Sequence, residues 1–220
     1  MKNVIGIGGV ARSGKDTFAG ILAIKLQQAG KTVRRVSFAE PLKTQVDEFL
    51  IKYIGITAFT PNTEEKTLIR PMLVWYGDAQ RKRTNGRYWI DLAKKTIEET
   101  NYDYYIITDV RYSAYEKDEL HFLKNEMNGK LCHVSKYIWK STNNSVSDID
   151  YNLATSEFAH YKEFVQPAND HENINDPKIK AAADYIIEWP HINDANPENL
   201  IFNPELNEYV DGFIEKMKVV

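Results

Sequence analysis

The stretch Gly9-Val10-Ala11-Arg12-Ser13-Gly14-Lys15-Asp16-Thr17 constrains this chain more than any other. It follows the apolar run Val4-Ile5-Gly6-Ile7 and precedes an amphipathic run from Phe18 to Leu26. Strand, glycine-rich turn and helix start form the context that a phosphate-binding loop requires. Two glycines let the backbone turn tightly with successive N–H groups facing inward. The following helix adds the positive end of its dipole. Lys15 then reaches terminal phosphates as a point charge, and Arg12 supplies a second cation beside them. The bland alternative is a ligand-free βα turn, but the complete Gly-x4-Gly-Lys spacing favours the phosphate cradle. One position departs from the usual pattern. The residue after the lysine, normally a Ser or Thr that contacts Mg²⁺, is Asp16, a carboxylate able to serve the same metal directly or through water. Thr17 follows, within reach of an α-phosphate.

The rest of the chain reads as strands alternating with helices. Lys2 to Ile7 is a buried strand, Thr17 to Ala29 a helix closed by Gly30, and Thr32 to Phe38 a second strand ending before Pro41. Helices follow over Leu42–Ile54, Lys66–Tyr76 and Tyr88–Thr100, with Pro71 predicting a break or a fresh start in the middle one. Tyr104–Thr108 is a strand ending at Asp109, Ala114–Met127 a helix, and Lys130–Val134 a strand. From Lys136 to Lys180 the pattern degrades: Ser141–Ser145 and Asn169–Pro177 are polar and turn-rich, with a short helical candidate over Ser156–Phe164 between them. Ala183–Ile187 makes a fifth strand and Pro204–Met217 a closing helix after a loop from His191 to Asn203. This alternation predicts a parallel sheet with helices on both faces. Ligands in such sheets bind beyond the carboxyl ends of the strands, so Gly9, Phe38, Asp109 and Ser135 should converge on one rim.

Three further stretches carry candidate chemistry. Asp109 and Arg111, in Thr108-Asp109-Val110-Arg111, sit where such folds place a metal-linked or substrate-linked carboxylate; a surface pair that ends the strand is the alternative. Arg70 to Trp89 mixes Arg70, Arg81, Lys82, Arg83 and Arg87 with Trp75, Tyr76, Tyr88 and Trp89. A nucleoside monophosphate needs such cations for its phosphate and a ring for its base, whereas a run of cations is otherwise a solvated face. Phe38-Ala39-Glu40-Pro41-Leu42-Lys43 is a strand-to-helix corner that would let a substrate approach backbone, or simply a plain corner. The net charge of −3 and the lack of a long basic stripe argue against nucleic acid as partner. The five histidines show no metal-ligand spacing, and the single Cys132 lies in an apolar stretch where a buried thiol is expected. No apolar run approaches ~18 residues and no leader precedes the first strand, so no membrane role is expected and the cytoplasm is the default.

Taken together, the loop ending Lys15-Asp16-Thr17, the Phe38–Lys43 corner, Tyr76-Gly77-Asp78 with Tyr88-Trp89, and Tyr102–Arg111 resemble the deoxynucleoside monophosphate kinases of tailed bacteriophages. These belong to a P-loop kinase group that includes dephospho-CoA kinase and animal phosphomevalonate kinase. The resemblance covers Asn3 to about Ser135. It implies a single three-layer αβα P-loop kinase domain over 1–220, with a parallel five-stranded sheet and a polar lid or insertion at about 136–180. It implies ATP on Ser13, Gly14, Lys15, Asp16 and Thr17, with Mg²⁺ at Asp16. A deoxynucleoside monophosphate would lie near Phe38, Lys43, Arg70, Gly77, Trp89, Asp109 and Arg111, with Lys15, Arg12, Asp109 and Arg111 as the catalytic set. Small-molecule nucleotides are then the partners, a homodimer is compatible, and the compartment is the cytoplasm, the host's if the protein is phage-encoded. The chain departs from the family at Tyr115, where an acidic residue is usual, and at Lys136 and Lys140, which stand in for a lid arginine. Thr155-Ser156-Glu157 resembles the family's lid segment without its histidine. The alternatives are a P-loop kinase for another phosphorylated acceptor, of phosphomevalonate or dephospho-CoA type, and a nucleotide-binding module without catalysis.

Overall fold

A computed structural model describes residues 2–141, 160–194 and 197–220. The chain folds as an α/β structure around a mixed sheet of six strands. β1 (Asn3–Gly8) lies between β3 (Tyr104–Val110) and β4 (Lys130–Ser141), and β2 (Val33–Val36) flanks β3. All these pairings are parallel, as is that of β6 (Tyr185–Pro190) with β4. The expectation of five parallel strands fails at one element. β5 (His160–Phe164) runs antiparallel to the end of β4, from Tyr137↔Phe164 to Ser141↔His160. All of β5 lies within the helical candidate Ser156–Phe164 and is strand instead; the rest of that candidate, and Thr155-Ser156-Glu157, fall outside the described residues. Tyr137 also pairs with Pro190, so β5 and β6 occupy opposite edges of β4. β5 therefore continues the edge that β1 leaves when it turns into the loop at Gly9.

The period of two along each strand sends alternate side chains to two cores. Ile5, Ile106 and Cys132 face α1 (Lys15–Gln28) and α7 (Pro204–Met217), packing on Phe18, Leu22, Val210 and Phe213. Val4, Tyr105, Ile107 and Leu131 face the other way, onto Ile90, Ala93 and Ile97 of α4 (Arg87–Glu99) and Ile179 of α6 (Asp170–Ala181). Cys132 is a buried thiol, its ionisation pushed well up by burial. A third, smaller cluster of Val46, Leu50, Ala58 and Ile69 joins α2 (Ala39–Ile54) to α3 (Thr63–Arg83). Among the described residues, no helix is long and apolar enough to cross a membrane.

Three local expectations are corrected. Pro71 neither breaks nor starts a helix: α3 begins at the Asn62 cap, whose side chain accepts from the Glu64 and Glu65 N–H groups, and runs through Pro71. Pro71 and Thr67 are on the exposed side, so the carbonyl left without a donor faces water. Ala114–Met127 is not one helix. Asp118 accepts from Ala114 N and Tyr115 N and holds them in a turn. α5 is then only Glu119–His121, continued by a wide π turn over Phe122–Glu126. The stretch Asn169–Pro177, read as polar turns, is most of α6, capped by the Asn169 side chain on Glu172 N.

Candidate functional site

The loop after β1 is shaped by contacts that only glycine admits. Gly9 has φ 132°, and a Cβ there would lie 2.3 Å from Val134 O. Gly14 has φ 95°, and a Cβ would lie 2.5 Å from the Trp189 ring. Trp189, from β6, is buried beneath the loop and donates its Nε1–H to Ser13 O at 2.9 Å. The Ser13 N–H closes a turn onto Val10 O at 3.2 Å. Ser13 is fully buried, its hydroxyl packs toward Gly9 without a hydrogen-bond partner, and it does not border the cavity that its loop neighbours line. Arg12, in the left-handed region at φ 66°, stays exposed. The first N–H groups of α1 have no carbonyl a turn earlier and face the loop as free donors.

Arg12, Gly14, Lys15, Asp16 and Thr17 line one cavity of about 800 Å³, which Lys43, Asp109, Arg111 and Lys136 also border. Its far wall is the segment after β6, including His191, Ile192 and Asn193, with Leu200 beside it. Lys15 folds back onto its own loop, donating to Gly9 O at 2.7 Å and Val10 O at 2.6 Å. Burial, with the Arg111 charge adding to it, pulls the Lys15 ammonium down from 10.5 to about 8. Burial and the charge of Arg12 lower Lys136 as well. The cavity thus concentrates cations at a desolvation cost that an anion would relieve.

A consequence follows for pH. A phosphate held against Lys15 would keep the ammonium charged well above the ligand-free value of about 8. Binding of a polyphosphate should therefore take up a proton at and above pH 8, and affinity should fall as pH rises through that region. Calorimetry at pH 8 in two buffers of different ionisation enthalpy reads this uptake directly. Equal heats in both would contradict it.

Asp16 stands in the first turn of α1 at the cavity mouth, its side chain 86 % exposed and paired with Arg35 at 2.9 Å. Among the described residues no three His, Cys, Asp or Glu side chains cluster to hold a metal ion. The donor set fits Mg²⁺ all the same. Asp16, Thr17 and Thr108 are oxygen donors on one cavity, and Mg²⁺ takes one or two carboxylates together with water and substrate phosphates.

A second cavity, of about 240 Å³, shares Ala39, Lys43, Asp109 and Arg111 with the first. Phe38, Leu42, Leu73, Val74 and Trp89 supply apolar walls. Trp89 is buried and fixed by its Nε1–H to Gly77 O at 3.1 Å. Gly77 itself lets α3 approach Leu42, whose Cδ1 lies 2.7 Å from where a Cβ would be. Of the expected acceptor residues, Phe38, Lys43, Gly77, Trp89, Asp109 and Arg111 therefore meet here. Arg70 does not: it is exposed on α3 and borders neither cavity, and Trp75 is likewise outside, 69 % exposed. Lys82, Arg83 and Arg87 are held by Asp78, Gln80, and Asp91 with Glu126.

Asp109 has a positioning role. It lies within β3 rather than past its end, and its carboxylate accepts from Phe38 N at 2.9 Å, Ala39 N at 3.1 Å and Ser37 Oγ at 2.8 Å. This ties the start of α2 to β3 and aims Lys43 at the junction. Ser135, also expected on the rim, lies within β4 and contacts His133 Nδ1 at 3.3 Å.

Several site residues had no local signal. Arg81 is buried beneath the second cavity, bidentate to Asp118 at 2.8 Å, 3.2 Å from Glu119, and stacked over Tyr112 at 3.7 Å. Glu119 accepts from Arg111 N at 2.7 Å and Tyr112 N at 3.0 Å. Burial pushes its carboxyl up to about 8 against the pull of Arg81, with Asp118 and Asp109 adding to the rise. Glu172, on α6, reaches both the loop and Arg111. The Asn169-x-x-Glu172 capping pattern could have located the start of α6; nothing nearby in sequence points to its partners.

Neither a protein-family model nor a curated protein sequence matches this chain.

Proposed function

We propose that this chain is a P-loop kinase of three-layer αβα build that transfers the γ-phosphoryl group of Mg-ATP to a deoxynucleoside monophosphate, giving the diphosphate. The observation that carries this reading is the pair of adjoining cavities joined at Lys43 and Arg111. One is bounded by the glycine loop and its cations, as a triphosphate requires. The other combines apolar and aromatic walls with Lys43 and Arg111 at the shared end, while Arg81 in its lining is already paired with Asp118 and Glu119; this suits an acceptor with a ring at one end and a phosphate at the other.

The chemistry needs positioning and charge neutralisation more than covalent help. Lys15 leaves the loop carbonyls for the donor phosphates, which free N–H groups of α1 also receive. Arg111 and Lys43 neutralise the donor and acceptor phosphates where they meet, and hold the acceptor oxygen in line. The acceptor phosphate is ionised at neutral pH, so no general base is needed. Mg²⁺, held through Asp16 and the phosphates, would add electrophilic neutralisation of the transferring group. Ile192 and Leu200 offer apolar surface to the donor's ring, and Phe38, Leu73, Val74 and Trp89 to the acceptor's. The strand order β2-β3-β1-β4-β6 places β1 and its loop at the centre of the sheet, where the chain switches direction and such ligands bind.

ADP formation measured against a panel of deoxynucleoside monophosphates and phosphomevalonate tests the reading. Turnover with one or more of the nucleotides is expected. Turnover with phosphomevalonate alone would reassign the acceptor, and ATP binding without turnover would make the chain a nucleotide-binding module.

A further inference from the structure

We infer that Glu172 is a positioning residue that couples the two cavities, one carboxylate holding the donor loop and the acceptor arginine together. Its Oε2 accepts from Ala11 N at 3.0 Å, within the loop, and from Ala168 N at 3.0 Å. Its Oε1 takes the Arg111 guanidinium at 3.3 Å. The Glu172 side chain is 6 % exposed and that of Arg111 40 %. A buried acid thus orients a cation that opens onto both cavities. In an ordinary capping box the glutamate at the third helical position returns to the N-cap N–H. Here Asn169 performs its half, accepting from Glu172 N at 3.0 Å, while the glutamate side chain reaches past the cap to the loop and to Arg111.

α6 cannot easily swing away, because other side chains clamp it. Asn175 Oδ1 accepts from Ser113 N at 3.0 Å, which ties the helix to the turn after Arg111. Asp176 meets His133 Nε2 at 3.0 Å, which ties it to β4. The carboxylate is therefore a fixed point between two groups that each contact a different substrate. With α6 held, the loop at Ala11 and the Arg111 guanidinium are set against one carboxylate, so ordering either group by filling its cavity favours the ordered position of the other, and the effect is reciprocal. The Glu172 charge also counters the repulsion of Lys15 by Arg111.

This assignment rests on the kinase reading, and Glu172→Gln with Glu172→Asp tests it. Glutamine keeps the volume and an acceptor oxygen for Ala11 and Ala168 but loses the attraction for Arg111. The KM for the acceptor should rise about tenfold, with the KM for ATP changing far less, a coupling within the ordinary range for linked sites. The tightening of ATP binding by deoxynucleoside monophosphate, read by calorimetry, should disappear. Aspartate keeps the charge and loses the reach, so Glu172→Asp should also raise the acceptor KM and weaken the tightening; it serves as well if the glutamine variant does not fold. An unchanged acceptor KM and unchanged tightening, with only a lower melting temperature, would reduce Glu172 to a helix cap. A wild-type protein that phosphorylates no acceptor would overturn the kinase reading and this assignment with it.

Discussion

Lys15→Met should abolish turnover while leaving the fold at least as stable as before. The loss expected is roughly 10²–10³-fold in kcat or more, the scale for removing one preorganised group from the transition-state charge. Stability should move the other way because Lys15 is a burden on the ligand-free fold. Its ammonium is buried, sits near Arg111, and ionises at about 8 rather than 10.5. Below pH 8 the folded chain must hold a charge that the unfolded chain solvates freely. Between 8 and 10.5 the unfolded state binds more protons, so this penalty fades as pH rises. A shift of that size corresponds to about 3 kcal/mol at neutral pH, partly offset in the variant by the lost bonds to Gly9 O and Val10 O. Urea denaturation at pH 7 should show no loss of stability for Lys15→Met, and the advantage should shrink by pH 10. A clearly destabilised variant would contradict the reading of Lys15 as a buried charge that burdens the ligand-free fold.

Arg81→Met should have the largest effect on stability. Arg81 neutralises Asp118 and supports Glu119, and all three side chains are almost wholly buried. Removing the cation leaves an uncompensated buried carboxylate, which costs about 3–5 kcal/mol. For a chain of this length that lowers the melting temperature by on the order of 10 °C. The damage should spread to the acceptor cavity, because Asp118 holds the turn at Ala114 and Tyr115, and Glu119 holds the N–H groups of Arg111 and Tyr112. Adding Asp118→Asn and Glu119→Gln to Arg81→Met should recover part of the loss, since no buried charge then lacks a partner. A loss below about 1 kcal/mol for the single variant would show that the cluster is not needed to hold the turn.

The contrast between these two residues shows what could be read from the sequence. The loop around Lys15 was legible as a tight turn between strand and helix because its setting is local: strand, glycine turn and helix start lie within a short run. The apolar runs Val4–Ile7, Tyr104–Thr108 and Leu131–Val134 were legible as buried strands for the same reason, and α1, α2, α4 and α7 were legible as helices. Arg81 looked like its neighbours Lys82 and Arg83, and only the fold distinguishes it, by bringing Asp118 and Glu119 to it. Glu172 and Trp189 meet the loop across most of the chain, so no local pattern could place them beneath it or beside it. β5 was missed because His160–Phe164 is short, largely exposed and without a buried apolar face, and finds its partner only where β4 outruns β1. Arg70 and Trp75 are the opposite case, since cation and ring together resemble a binding site in the sequence, while α3 turns both to solvent and away from the two cavities.

The central claim is that donor and acceptor phosphates meet at the junction of the two cavities. A dinucleoside polyphosphate that links adenosine to a deoxynucleoside tests it most directly, with affinity measured against ATP and the monophosphate alone. If both cavities are filled at once, the linked ligand should bind roughly 10²-fold or more tighter than ATP, and Arg111→Met should erase that gain. Binding no tighter than ATP itself, with or without Arg111, would contradict the account.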